Sequence, residues 1–266
     1  SCPSELFYDE AGCYIRLLDI DTRLDDSSLI ECKRNSENWT QIDLDCDSPE
    51  QIQEAFKELL AVKKVSREHA YKLGLWNERE ANRSGLLDAE ELEIPCWRYA
   101  LISLPHPILK QGLSILDTAG LNVLRVEPEL TLSLFSSAEA IIFVLATDSD
   151  DTSCDLEIWR NYINRVRRDD QVSVAVVMNK IDALWDSASD ESAYSLSVAS
   201  QITGITEKLG IDKQLIFPVS ARQALMAKIN PDADLLEKSR LANLESYLSD
   251  SVLSYRGQLS KQSIIK

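Results

Sequence analysis

The sequence predicts an α/β fold of the three-layer, doubly wound kind, with a mostly parallel sheet between helices. Three observations predict it. Ala140–Thr147 (AIIFVLAT), Val172–Met178 (VSVAVVM) and Leu215–Val219 are continuous, β-branched apolar runs. Such runs suit strands buried on both faces. Helical patterns separate them, so strand and helix alternate. Short polar turns directly follow the strands, at the edge where open α/β sheets bind ligands.

Taken in order, Cys13–Leu18 is a short apolar run and a candidate strand. Ser48-Pro49-Glu50-Gln51 offers an N-cap, a first-turn proline and a capping-box glutamine, so a helix is expected from there toward Val65. Residues 47–95 form a charged, largely helical insertion in this reading. Trp97–Leu104 and Gly112–Leu116 flank the loop PHPILKQ and suggest a hairpin. After the strand at 140–147, Ser153 or Asp155 can cap a helix with Leu156, Trp159, Ile163 and Val166 on one face. Asp190–Leu209 is a further helix. Leu241, Leu244, Leu248 and Val252 recur at spacings of three and four, as one amphipathic helix over 233–256 would require. The expected division is a nucleotide domain over 1–232 and a C-terminal helix over 233–266 that is a possible stalk start.

Composition narrows the function. Apolar residues make up 44% of the 266 residues, enough for a sizeable core, and the net charge is −16. A surface this acidic argues against general nucleic-acid binding and against broad adhesion to anionic lipid. Six cysteines without a C-x-x-C pair, and two histidines, disfavour a zinc site. Reduced thiols in a cytosolic protein are the expected state. The longest strongly apolar run, Ala140–Ala146, is too short to span a bilayer.

Three motifs follow strands. Asp117-Thr118-Ala119-Gly120 follows GLSIL, Asn179-Lys180-Ile181-Asp182 follows VSVAVVM, and Ser220-Ala221-Arg222 follows LIFPV. In a D-x-x-G turn the carboxylate suits Mg²⁺ held through water, so Asp117 is the candidate metal residue. The glycine lets a backbone N–H approach a γ-phosphate oxygen. The next segment, Leu121–Arg125, would then switch on hydrolysis. In N-K-x-D, Asp182 can accept two hydrogen bonds from guanine N1–H and its amine. Adenine lacks that pair and is rejected by roughly 10⁴-fold or more at such sites. Asn179 would brace the loops, Lys180 would lie along the base, Ala221 would offer its N–H to guanine O6, and Ser220 would stabilise that turn. Each motif alone has a bland reading as a turn or helix cap. Their order and strand-end placement together point to a guanine nucleotide, GTP or GDP, with Mg²⁺.

A phosphate-binding loop needs G-x-x-x-x-G-K-[ST]. None of the eight glycines is followed by Lys. The chain is therefore expected to begin just inside the first switch, with that loop upstream in a longer protein. No catalytic residue is assigned, because the loop and the first-switch threonine do not occur in this sequence. A GTPase-derived scaffold without hydrolysis is the alternative, as is a GTPase of another class, such as a ribosome-assembly switch. His69 and His106 are expected as surface or loop residues, and Trp76, Trp97 and Trp185 as packing residues. The acids Asp148, Asp150 and Asp151 are expected as solvated loop residues.

The stretch GLSILDTAGLNVLRVEPELTLSLFSSAEAIIFVLATDSDDTSCDLEIW resembles the dynamin superfamily of large GTPases, with Ser153, Asp155 and Trp159 loosely matching that family's helix after an acidic loop. The N-K-I-D form is closer to bacterial members. The resemblance covers roughly residues 100–225. It implies the P-loop GTPase type of fold, GTP hydrolysis with Mg²⁺, and self-association across the nucleotide face. It also implies membrane remodelling or tethering through regions outside this chain, in a cytoplasmic protein peripheral to a membrane. The loop Asp148–Thr152 would lie near the nucleotide. D-T-A-G departs from the family's commoner proline-containing turn.

Overall fold

A computed structural model of the chain describes residues 2–25, 27–76, 91–118, 138–147, 153–167, 172–186 and 189–249. Ala119, Gly120, the switch segment 121–125, the loop 148–152 and Val252 lie outside the described residues. The chain divides into two compact units, 1–131 and 132–266.

The first unit is built on a five-stranded sheet. Its strands are β1 (Ser4–Phe7), β2 (Tyr14–Asp19), β3 (Trp39–Asp43), β6 (Trp97–Ser103) and β7 (Ile115–Asp117), in the order β3-β2-β6-β1-β7. Only β1 and β6 pair in parallel; β2–β3, β2–β6 and β1–β7 are antiparallel. The expected hairpin of 97–104 with 112–116 does not form. β1 lies between those strands, and the loop carries a short helix, α4 (Pro107–Lys110), capped by His106, whose Nδ1 accepts from Ile108 N. Hydrophobic runs mark strands but not their neighbours, and Ser4–Phe7 is too short to have stood out.

Alternation along β2 sends successive residues to opposite faces. Ile15 and Leu17 pack with Ala100 and Ile102 against Ala55 and Phe56 of α2 (Pro49–Lys57). Leu18 and Tyr99 pack on the other face against Leu29 and Cys32 of α1 (Leu29–Arg34). The complete capping box belongs to α1, where Ser28 and Glu31 bond reciprocally. At α2, Ser48 caps as expected, but the Gln51 side chain accepts from Asp45 N at 2.7 Å. The helix then ends at Lys57, and Val62–Ser66 is strand β4, paired antiparallel with β5 (Glu91–Pro95). The β-branched Val62 and Val65 favour the extended backbone over helix continuation. α3 (Arg67–Lys72) packs Ala70 onto this ribbon beside Ile20 and Ile94. The expectation of reduced cysteines is corrected at one pair: Cys13 and Cys46, which flank the paired β2 and β3, form a disulfide.

The second unit holds a fully parallel three-stranded sheet, β10-β9-β8: β8 (Ala140–Ala146), β9 (Ser173–Asn179) and β10 (Ile216–Val219). The expected parallel sheet is therefore found here and not in the first unit. The central β9 is buried along Val174–Met178, whereas β8 alternates and exposes Ile142 and Val144. α5 (Ser153–Ile158) continues through a π-helical turn, Trp159–Ile163, to Val166. Trp159 is 1% exposed, packs on Phe143 and donates Nε1–H to Leu209 O at 2.9 Å. After α6 (Asp182–Asp186), α7 (Glu191–Leu209) has Asp190 as its N-cap and ends on Gly210 at φ 63°, where a side chain would be strained. α8 (Ala221–Ile229) follows β10. The single helix expected over 233–256 is broken into α9 (Ala233–Ser239) and α10 (Leu241–Tyr247) by Arg240, whose φ is 56°. α10 is held on its own unit by Lys228–Glu245 at 2.6 Å and by Phe217 against Tyr247, and α9 by the Ser220 N–H, which donates to Ser239 O.

Candidate functional site

The carboxyl ends of β8, β9 and β10 carry the predicted guanine-reading residues, because parallel strands deliver their C-terminal loops to one edge. Asn179 closes β9 and joins two loops. Its Oδ1 accepts from Lys180 N at 2.8 Å and from Ala221 N at 3.1 Å, across 42 residues of sequence. Lys180 takes a left-handed φ of 66°, uncommon for a residue with a side chain. Thr147, at the end of β8, steadies that turn: its N–H donates to Asn179 O at 3.1 Å and its hydroxyl to Lys180 O at 2.8 Å. Ile181 N donates to Val219 O, joining the turn to β10.

Asp182 opens α6, and its Oδ1 accepts from the Ser220 hydroxyl at 2.7 Å. Ser220 is fully buried and does three jobs. It holds Asp182, its Oγ accepts from Gln223 N at 3.2 Å as the N-cap of α8, and its N–H donates to Ser239 O at 2.9 Å. The second carboxylate oxygen of Asp182 has no hydrogen bond among the described residues, so it stays open to a donor. A carboxylate anchored through one oxygen keeps its orientation while the other recognises a ligand.

Asn179, Lys180, Asp182, Ser220 and Ala221 are thus brought together within one unit. One detail differs from the expected roles. The Ala221 N–H is engaged by Asn179, so a guanine O6 would share or replace that bond. Arg222 stands exposed in the first turn of α8. Asp117 is the exposed last residue of β7, paired in register with Ser4, and Thr118 follows it half-buried, both in the first unit.

Sequence reasoning missed Thr147 and Ser239. A threonine directly after an apolar strand was the available signal for the first. Nothing local marks Ser239, which lies nineteen residues beyond Ser220. It meets Ser220 because α8 and α9 fold back together. Nearby, Tyr194 packs edge-on against Trp185 and beneath Arg240, and burial pushes its phenol above the ordinary value. His69 is bonded to Asp21 at 2.9 Å, and Trp97 donates Nε1–H to Glu58 O, both outside this cluster.

Among the described residues no group of three or more His, Cys, Asp or Glu is placed to hold a metal ion, and no helix is long and apolar enough to cross a membrane.

No family model matches the chain. It is 33% identical over 129 residues to a probable chloroplastic transmembrane GTPase, FZO-like, of Arabidopsis thaliana, covering 48% of this chain and 13% of that protein. It is 26% identical over 152 residues to a bacterial dynamin-like protein of Nostoc punctiforme, covering 52% of this chain and 21% of that one. Among solved structures, 96% of the chain superposes on a protein of an oligomerised bacterial dynamin pair that senses and tethers membranes at long range. The TM-score is 0.52, the sequence identity 15%, and 39% of that protein is covered. The chain spans less than half the length of each of these. The resemblance read from the sequence therefore stands on sequence and fold alike: the chain is similar to the dynamin-superfamily GTPases.

Proposed function

We propose that this chain, similar in sequence and fold to dynamin-superfamily GTPases, is the guanine-reading part of a GTP-binding domain that hydrolyses GTP in a longer protein. One observation carries the reading: Ser220 and Asn179 tie the N-K-x-D and S-A loops together and leave one oxygen of Asp182 open. A carboxylate held this way pairs with the adjacent N1–H and amine of guanine. Against adenine it would be left buried without donors, which is costly. The Lys180 turn, held by Thr147, would set the side chain's stem beside the base.

In this reading the fold is the three-layer P-loop GTPase type, and the G-x-x-x-x-G-K-[ST] loop is supplied by the longer protein. Mg²⁺ suits what is present only as an ion shared with nucleotide and water. The one predicted protein oxygen donor is Asp117, exposed at the end of β7. When bound, the ion would offset phosphate charge. Ala119, Gly120 and Arg222 complete the proposed nucleotide-binding set. Self-association across the nucleotide face and membrane contact through other regions are proposed from the same likeness, with a cytoplasmic, membrane-peripheral location.

The test is binding and turnover of GTP, ATP and xanthosine triphosphate by the full-length protein and its Asp182→Asn variant. The expected result is GTP preference that moves to the xanthine nucleotide in the variant, since Asn supplies a donor for the xanthine oxygen. Equal affinity of the intact protein for GTP and ATP would sink the reading.

A further inference from the structure

Although the chain carries a net charge of −16, one concavity of about 360 Å³ in the first unit is lined by Arg16, Lys33, Arg34, Trp39, Gln41 and Leu101, with no acidic side chain in its wall. The register explains how it arises. Gln41, Arg16 and Leu101 are direct cross-strand partners on β3, β2 and β6, and Trp39, Leu18 and Tyr99 form the neighbouring row on the same face. α1 covers the second row, burying Leu18 and Tyr99 completely, and ends at Arg34. The first row is left open, and the last two side chains of the helix stand at its rim.

The site is built rather than incidental. Gln41 accepts from Arg16 Nε at 2.7 Å and donates to Asp43 at 2.7 Å, while the guanidinium lies 4.6 Å over the Tyr14 ring. Arg16 is thereby oriented with its terminal nitrogens unbonded among the described residues. Lys33 is held over Tyr99 and paired with Glu5 at 2.6 Å, which offsets its charge. Arg34 makes no ion pair among the described residues; its nearest influence is electrostatic, on Glu31. Trp39 donates Nε1–H to Cys32 O at 2.8 Å, and Asn35 N donates to the same carbonyl, which fixes the indole at the end of the helix. The oriented Arg16 guanidinium, with the exposed Arg34 at the rim beside an indole, supplies donors for a phosphate's oxygens. The volume is at the lower end of small-molecule sites.

We propose that this pocket binds a phosphomonoester or diphosphate group through Arg16 and Arg34. The shared chemistry is a multiply charged phosphate anion, whether free or on a lipid headgroup.

The Trp39 indole N–H resonance, assigned with Trp39→Phe, gives a readout local to the pocket, and the arginine variants tie it to that pocket. The full chain is titrated with inorganic pyrophosphate in one arm. In the other it is titrated with phosphatidylcholine vesicles containing phosphatidic acid, against phosphatidylcholine alone. Saturable movement with pyrophosphate, weakened roughly tenfold or more by Arg16→Gln and by Arg34→Gln, is the expected result. A response to phosphatidic acid alone, lost in the same variants, supports the pocket and assigns the phosphate to a headgroup. Arg34 is exposed on a helix end, so Arg34→Gln carries the test if Arg16→Gln does not fold. No saturable response in either arm, or a response unchanged in Arg34→Gln, overturns the proposal.

Discussion

The two units organise polar chemistry in opposite ways. In residues 132–266 three parallel strands end together, so loops distant in sequence arrive at one edge and a single buried serine, Ser220, links Asp182, α8 and Ser239. In residues 1–131 the strands mostly alternate in direction, so their ends scatter. Polar groups there meet in separate pairs, across strands or between helix and strand: Arg16 with Gln41, Lys33 with Glu5, and Asp21 with Lys63 and His69. The Cys13–Cys46 disulfide adds a covalent tie to the same antiparallel pair. Strand direction, more than composition, decides whether functional residues can be short motifs in sequence.

The comparison is broken most severely at Trp159. Trp159→Ala removes a fully buried ring and leaves Leu209 O unpaired, so about 3–5 kcal/mol of stability should be lost from the second unit. Urea unfolding followed at Trp185 should show it, while a first-unit reporter such as Trp39 should change little if the units are independent. Next comes the disulfide. Cys13→Ser should cost the first unit about 2–4 kcal/mol by freeing its unfolded chain across a 33-residue separation. Thiol titration of the unreduced, denatured protein should find two fewer reactive groups than after reduction.

Ser220→Ala sharpens the contrast at smaller scale. It strips a helix cap and the anchor of Asp182 together, for an expected loss of about 1–3 kcal/mol, and guanine affinity should fall with it. Guanine affinity left unchanged in Ser220→Ala would mean that the anchoring role is wrong. The smallest effect is pH-linked. The bond from Lys63, then that from His69, holds the Asp21 carboxyl below its ordinary value despite some burial. A depressed folded value means the stabilisation is present above the unfolded carboxylate value and is lost as pH falls through the folded one. Asp21 is about half exposed, so the contribution should stay near 0.5 kcal/mol. Thermal midpoints of wild type and Asp21→Asn should differ slightly at neutral pH and converge in acid.

Legibility followed the same divide. The strands at 140–147, 172–178 and 215–219, the cap at Ser48 and the helix over 190–209 are visible because period, β-branching and capping are local. The partnership of 97–104 with 112–116 was misjudged, since an apolar run carries no information about which strand lies beside it. The ribbon of β4 and β5 was hidden in a segment whose charge suggested helix, and the break at Arg240 was hidden by an unbroken leucine spacing.

From its residues alone the chain determined the three parallel strands, several helix starts, the acidic charge and the candidate base-reading residues, all properties of residue type and short spacing. Tertiary structure alone decided three other things: that Asn179 bonds Ala221, that Ser239 underpins Ser220, and that Arg16, Arg34 and Trp39 share a pocket. Those depend on strand register and on helices folding back across tens of residues. Closure of such long-range contacts is set by the packing of the whole core, and no local pattern in the chain encodes it.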